Sequence, residues 1–202
     1  MATRSGGADW LGCRNDYQQA LIDGWLEAYR HRRWQRAREF AGWLDEQNIP
    51  SLTADQAQAI YRASGGRQNQ KFKGNPIEEV RDSLDFLLFD TLGLEKRFDE
   101  SASTEGAYNL AGSGKEFVSY ILCLREPGLF AFWSSHGERA LRKLGIYPKD
   151  LRKGNLGLGY MDLLDAVNLV RGRIGLADFQ AVDEFFYSVT QKRPEPVGER
   201  GS

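Results

Sequence analysis

Apolar residues along this chain recur at roughly three- to four-residue intervals, and almost nowhere do they alternate with polar ones. Over residues 15–30, Tyr17, Ala20, Leu21, Trp25 and Ala28 fall on one stripe; over 33–46, Trp34, Ala37, Phe40, Ala41 and Leu44 do the same. That spacing is the helical period, which lays one apolar face against a core. Thr53-Ala-Asp-Gln56 reads as a capping box that opens a short helix to Ala63. The stretch from Ser64 to Gly74 is polar and glycine-rich, so a loop is expected. Asn75, Pro76 and Glu78 then supply an N-cap, a proline at the first helical position and an early acid. The buried face of that helix would be Val80, Leu84, Leu87 and Leu88.

A turn of helix near Leu94–Phe98 leads to a Gly112–Gly114 turn, and a helix over 116–125 stops before Pro127. The next helix runs from about Ser134 to Leu144 and ends at Gly145, with Ser135 and Glu138 spaced as a capping box. Gly154, Gly157 and Gly159 read as a link to a helix over Tyr160–Val170. Asp178 caps the last helix, whose apolar residues are Phe179, Val182, Phe185, Phe186 and Val189. Trp25, Trp34, Trp43, Phe86 and Phe89 read as core. From Arg193 the prolines and glycines predict a disordered tail over 193–202. No strand pattern interrupts this succession. The expected fold is all-α, a single domain over 1–192 built as a bundle of two packed halves, 14–100 and 101–192.

A chain of 202 residues can bury one good core. No apolar run approaches the ~20 residues of a membrane span, and the N-terminus lacks an apolar signal core. Cys13 and Cys123 lie far apart and belong to no Cys/His cluster, which points to a reducing cytoplasm and to no metal site. His31 and His136 stand isolated, and neither a cofactor nor a membrane partner is expected; the chain reads as a monomer. The net charge of −1 is a mild mark against nucleic-acid binding. The charge is unevenly spread, however. Arg30-His31-Arg32-Arg33-Trp34-Gln35-Arg36 is one basic concentration; Arg139, Arg142, Lys143, Lys149, Arg152 and Lys153 form another. Each suits either phosphate contact or a solvated helix surface.

The stretch with the most chemistry is Leu110-Ala111-Gly112-Ser113-Gly114-Lys115. A Gly-x-Gly turn at the start of a helix leaves backbone N–H groups free to donate to a phosphate, and glycine permits its close approach. No strand precedes it, so it is not a nucleotide-binding loop of the Walker type. A tight turn between packed helices uses glycine for the same reason.

Taken with Phe117 and the aromatic Pro127–Trp133 segment, these residues resemble the helix-hairpin-helix DNA glycosylase superfamily. The resemblance spans residues 105–145 and implies a helix-hairpin-helix motif near 105–126. It implies that Gly112, Ser113, Gly114 and Lys115 hold a phosphate of double-stranded DNA. The DNA backbone would run along Arg139, Arg142, Lys143, Arg152 and Lys153. A flipped base would enter between the halves, with Trp133 to stack on it and Gln68, Asn69 and Asn75 to probe it. Two positions depart from the family. Ser134 stands where members carry an aspartate facing the sugar, and Glu116 where lyase-competent members carry a lysine. Excision would then proceed without strand cleavage, with Glu116 as the carboxylate and Ser134 beside it. The substrate would be a damaged or modified base, including a bulky one of foreign DNA, since such a base flips most cheaply. Two other readings stay open: a DNA-reading module that does no chemistry, and a helical protein–protein adaptor. Structural alternatives also stay open for the residues: Glu116 as a first-turn acid, Ser134 as a cap, Trp133 as core, and the three amides as turn formers.

Overall fold

The N-terminal periodic stretch divides where its glycine permits. In a computed structural model, which describes residues 9–152 and 154–191, helix α1 (Trp10–Ile22) is capped by Asp9 and ends ahead of Gly24, which takes φ +71°. Only glycine enters that left-handed region without strain. Helix α2 (Glu27–Arg33) then restarts on a rotated face. The single helix expected over 15–30 is therefore two. Leu26 and Tyr29 are buried instead of Leu21 and Ala28, which are exposed. Helix α3 (Ala37–Trp43) follows, with Trp34, Ala37, Phe40 and Leu44 buried as their spacing predicts.

Helix α4 (Ala54–Ala63) opens on the expected capping box between Thr53 and Gln56. The polar loop after it contains a short helix, α5 (Asn69–Lys73), whose Phe72 is buried. Helix α6 (Ile77–Phe89) begins one residue later than Asn75 and Pro76 suggest, and no side chain caps it. Helix α7 (Leu94–Ala102) is followed by the irregular segment 103–114 and then by α8 (Lys115–Arg125). Within 105–126 the only helix is α8; the residues ahead of it are irregular, and the preceding helix, α7, ends at Ala102.

Helix α9 (Ser135–Lys143) is capped by Ser134, not Ser135: the Ser134 Oγ accepts the Gly137 N–H at 3.1 Å. Helix α10 (Leu156–Ile174) begins earlier than expected and takes Gly157 and Gly159 into its first turn. The reason is packing. A Cβ on Gly157 would lie 1.6 Å from the Glu95 carbonyl oxygen, so this glycine lets α10 lie directly on the start of α7. Helix α11 (Phe179–Thr190) is capped by Asp178, as expected. No strand occurs among the described residues. The tail expected from Arg193 lies outside them.

Helix α10 packs along α7, α11 against α9 and α1, and α8 against α3 and α7. One apolar core therefore runs through both expected halves, with Tyr61, Phe98, Tyr120, Trp133, Tyr160 and Phe185 among its largest members.

Inside this core sits a charge. Asp183 on α11 is 2% exposed and accepts from Tyr29 Oη (2.6 Å) and Trp34 Nε1 (2.9 Å) on Oδ2. His136 Nε2 stands 2.7 Å from its Oδ1. Burial alone would raise the pKa of this carboxyl; the facing His136, the Arg33 guanidinium and the Tyr29 hydroxyl outweigh that and hold it below the usual carboxylate value. At the rim, Arg30 Nε and Nη2 each reach a Glu184 carboxylate oxygen at 2.7 Å. These contacts tie α2 and α9 to α11 across most of the sequence.

Removing Asp183 leaves donors buried without an acceptor, so Asp183→Ala should lower stability by about 3–5 kcal/mol in urea unfolding. Because the carboxyl's pKa is depressed in the folded state, its contribution is present above the unfolded carboxylate value. It fades as pH falls below that value. The variant should therefore lose this acid-dependent share of its stability; a variant as stable as the parent, with the same acid profile, would contradict the assignment.

Candidate functional site

Leu110 is buried and anchors the turn, which closes with the Ser113 N–H donating to the Leu110 carbonyl at 3.0 Å. Gly112 takes φ +80°, and a Cβ there would come within 3.0 Å of the Phe72 nitrogen and 3.1 Å of the Gln68 oxygen. It is glycine because the turn is left-handed at this point and lies directly on α5. Gly114 differs. Its backbone is extended, a Cβ would meet nothing within 4 Å, and no side chain caps the helix it opens. The first N–H groups of α8 thus border open space.

Tyr61 builds the opposite wall. Its hydroxyl donates to the Gly112 carbonyl (2.7 Å) and accepts the Gln68 N–H (3.1 Å), while its ring stacks on Phe72 with centroids 4.1 Å apart. Gly66 lies against the same ring, where a Cβ would fall 2.3 Å from it. Asn75 clamps the turn from below: its amide nitrogen donates to the Ala111 carbonyl (3.0 Å) and its oxygen accepts the Ala111 N–H (2.9 Å). That engagement explains why Asn75 does not cap α6. The result is a cleft of about 290 Å³ with Gly65, Gly66, Arg67 and Gln68 facing Gly112, Ser113, Gly114, Lys115 and Glu116. The Ser113 hydroxyl lines it and, among the described residues, has no hydrogen-bond partner although the oxygen is buried.

The residues expected to act on a flipped base are otherwise engaged. Glu116 lines the cleft, but its Oε1 accepts the Ser135 N–H at 2.8 Å and so helps cap α9. Ser134 is 3% exposed and caps the same helix from within the core. Trp133 is 2% exposed, its ring stacked near Phe98 and Tyr160, so it closes the core and offers no face for a base. Lys115 pairs with Glu138 and lies 4.3 Å over the Trp133 ring, rather than pointing freely at a phosphate. Glu138 also accepts Trp133 Nε1 at 2.6 Å; with Ser134 as the cap, Ser135 is the first helical residue and forms no capping box with it. Burial would raise the Glu138 pKa, yet the Lys115 and Trp133 hydrogen bonds leave it lowered. Of the three amides, Gln68 lines the cleft; Asn69 is held by Gln58 Nε2 at 2.9 Å, and Asn75 by the turn.

The basic segment after the turn is partly engaged within the protein, and Lys149 on it is exposed. Arg142 stacks 3.6 Å over Tyr147 and lies 3.7 Å from Glu138. Lys143 donates to the Val189 carbonyl at 2.8 Å, and Arg152 grips Asp162 with Nη2 at 2.6 Å. Arg139 stays exposed, and Lys153 lies outside the described residues.

His136 is not isolated, as its sequence surroundings suggest, but meets Ser134 and Asp183. The three do not form a nucleophilic triad. Ser134 Oγ (3.1 Å) and Asp183 Oδ1 (2.7 Å) face the same nitrogen, Nε2. An ionised carboxylate only accepts, so Nε2 carries a proton and has no lone pair with which to activate the serine. Two residues that matter here escaped the sequence reading. Asp183 carried a signal, a carboxylate on the stripe of Phe179 and Phe186, while Tyr61 carried none. Among the described residues no cluster of His, Cys, Asp or Glu could hold a metal ion, and no helix is long and apolar enough to cross a membrane.

Tyr61→Phe removes one hydroxyl that serves both walls. It should cost about 1–3 kcal/mol of stability, the scale of leaving a part-buried carbonyl unpaired, and speed hydrogen exchange at the Gln68 amide. Unchanged stability and exchange would show that the walls are held by something else. Comparison with protein-family models, curated proteins and solved structures gives no match to this chain, so the cleft's geometry and charge carry the functional reading.

Proposed function

We propose that the protein binds the phosphate backbone of double-stranded DNA at the Gly112–Gly114 turn, as a DNA-binding module without chemistry at this site. The observation that carries this is Gly114: space for a Cβ stands open in front of an uncapped helix start. An anion there would receive backbone N–H groups and the favourable end of the α8 dipole. Arg67 on the facing wall suits the same ligand. Gln68 is the one amide side chain on the cleft, so phosphate contact outweighs base reading and affinity should depend steeply on salt.

Excision of a damaged or modified base is the second reading. What favours it is Glu116, a carboxylate on the cleft wall. Alkali-labile abasic sites in a modified duplex, lost in Glu116→Gln, would decide for it over the first.

Gly114→Asp separates binding from folding. Aspartate is a favoured N-cap, so the variant should be as stable as the parent or gain up to about 1 kcal/mol. Its carboxylate would occupy the phosphate position. Affinity for a short duplex should fall about tenfold or more, and the salt slope by about 1. A folded variant that binds DNA like the parent would contradict the proposal.

A further inference from the structure

We propose that the DNA leaves the turn over the N-terminal part of the chain and makes a second backbone contact in an arginine groove between α2 and α4. This inference rests on the DNA-binding reading above and gives it a direction.

Charge is segregated. Residues 30–74 hold nine arginines and lysines against four acids, a net of five positive in a chain whose total is −1. Part of that charge is gathered in a groove of about 380 Å³ lined by His31, Arg32, Arg33, Arg36, Phe40 and Arg62, of which Arg36 is paired with Glu39 at 2.7 Å. Arg33 connects groove and cleft. Its Nη1 donates to the Ala63 carbonyl at 2.6 Å, and its guanidinium lies against Gly65, where a Cβ would come within 2.9 Å of Nη1. Segment 63–67 is therefore a strap with the arginine groove on one side and the Gly112–Gly114 cleft on the other.

Two further observations bear on the kind of ligand. Arg32 and Arg62 are exposed; Arg62 uses only Nε, towards the Gln58 carbonyl, and Arg32 only rests over the Tyr29 ring. Their remaining donors suit phosphate oxygens, which a guanidinium fork matches well. Phe40 is 3% exposed, which leaves His31 as the one aromatic ring at the groove surface, outnumbered by the exposed guanidinium forks that suit a phosphate backbone. The ligand is thus the backbone of a duplex rather than a single strand. On the course expected from the sequence, Arg142, Lys143 and Arg152 have partners within the protein, which leaves Arg139 and Lys149 as its exposed cations.

The test compares two neutralised pairs by titrating a labelled 16-base-pair duplex at several salt concentrations. Arg32→Gln with Arg62→Gln should weaken binding about tenfold or more and lower the salt slope by about 2, whatever the sequence. Arg139→Gln with Lys149→Gln, exposed on the other course, should bind like the parent. The opposite pattern would overturn the proposed direction while leaving the turn as a binding site. Loss of binding in the Arg32/Arg62 pair with none in Gly114→Asp would keep the groove and remove the turn. A parent protein that does not bind the duplex would overturn both, and so would a single strand bound more tightly than the duplex for the course proposed here.

Discussion

Asp183 lies on the buried face of α11, where a negative charge costs on the order of several kcal/mol unless donors surround it. Meeting that demand organises much of the molecule. Tyr29 and Trp34 come from the α2–α3 region, and His136 comes from α9. Arg33 adds a positive charge close by. The same arginine then reaches outward to the Ala63 carbonyl and packs on Gly65. Tyr61 carries the connection on to Gly112. The strap, the turn and the open start of α8 are thus linked, contact by contact, to one sealed carboxylate.

The sequence disclosed the helical class because periodicity and caps are local. Thr53 with Gln56, and Asp178 with Ala181, form the caps their spacing predicts. It disclosed the Gly112–Gly114 turn for the same reason. What it could not show was the partner of each polar group. Tyr29 and Asp183 are separated by 154 positions, and Asn75 and Ala111 by 36. Glu116 looked available because the group it engages, the Ser135 N–H, belongs to another helix start, whereas Ser134 is the local cap that its position before a helix allows. Gly157 looked like linker because the backbone it touches belongs to α7.

The charge pattern, too, reads differently once the chain is folded. Two basic concentrations stood out, and the one beside the turn in sequence was the natural course for a backbone. Folding pairs that segment with Glu138, Asp162 and a carbonyl of α11. The other segment keeps exposed arginines on a groove that shares a wall with the cleft. Two glycines with different duties lie at the junction. Gly112 is demanded by the fold, whereas nothing inside the protein demands Gly114. Its place ahead of an uncapped helix start is what leaves room there for an anion from outside.

The central claim is that a duplex lies across the turn and the strap, held through its phosphates. Amide chemical-shift mapping of the labelled protein against a short duplex reads this directly. The account predicts shifts at Ser113–Phe117, at Gly65–Gln68 and around Arg32 and Arg62, with little change from Arg139 to Arg152. Shifts confined to α9 and the segment after it, or none at the start of α8, would contradict it.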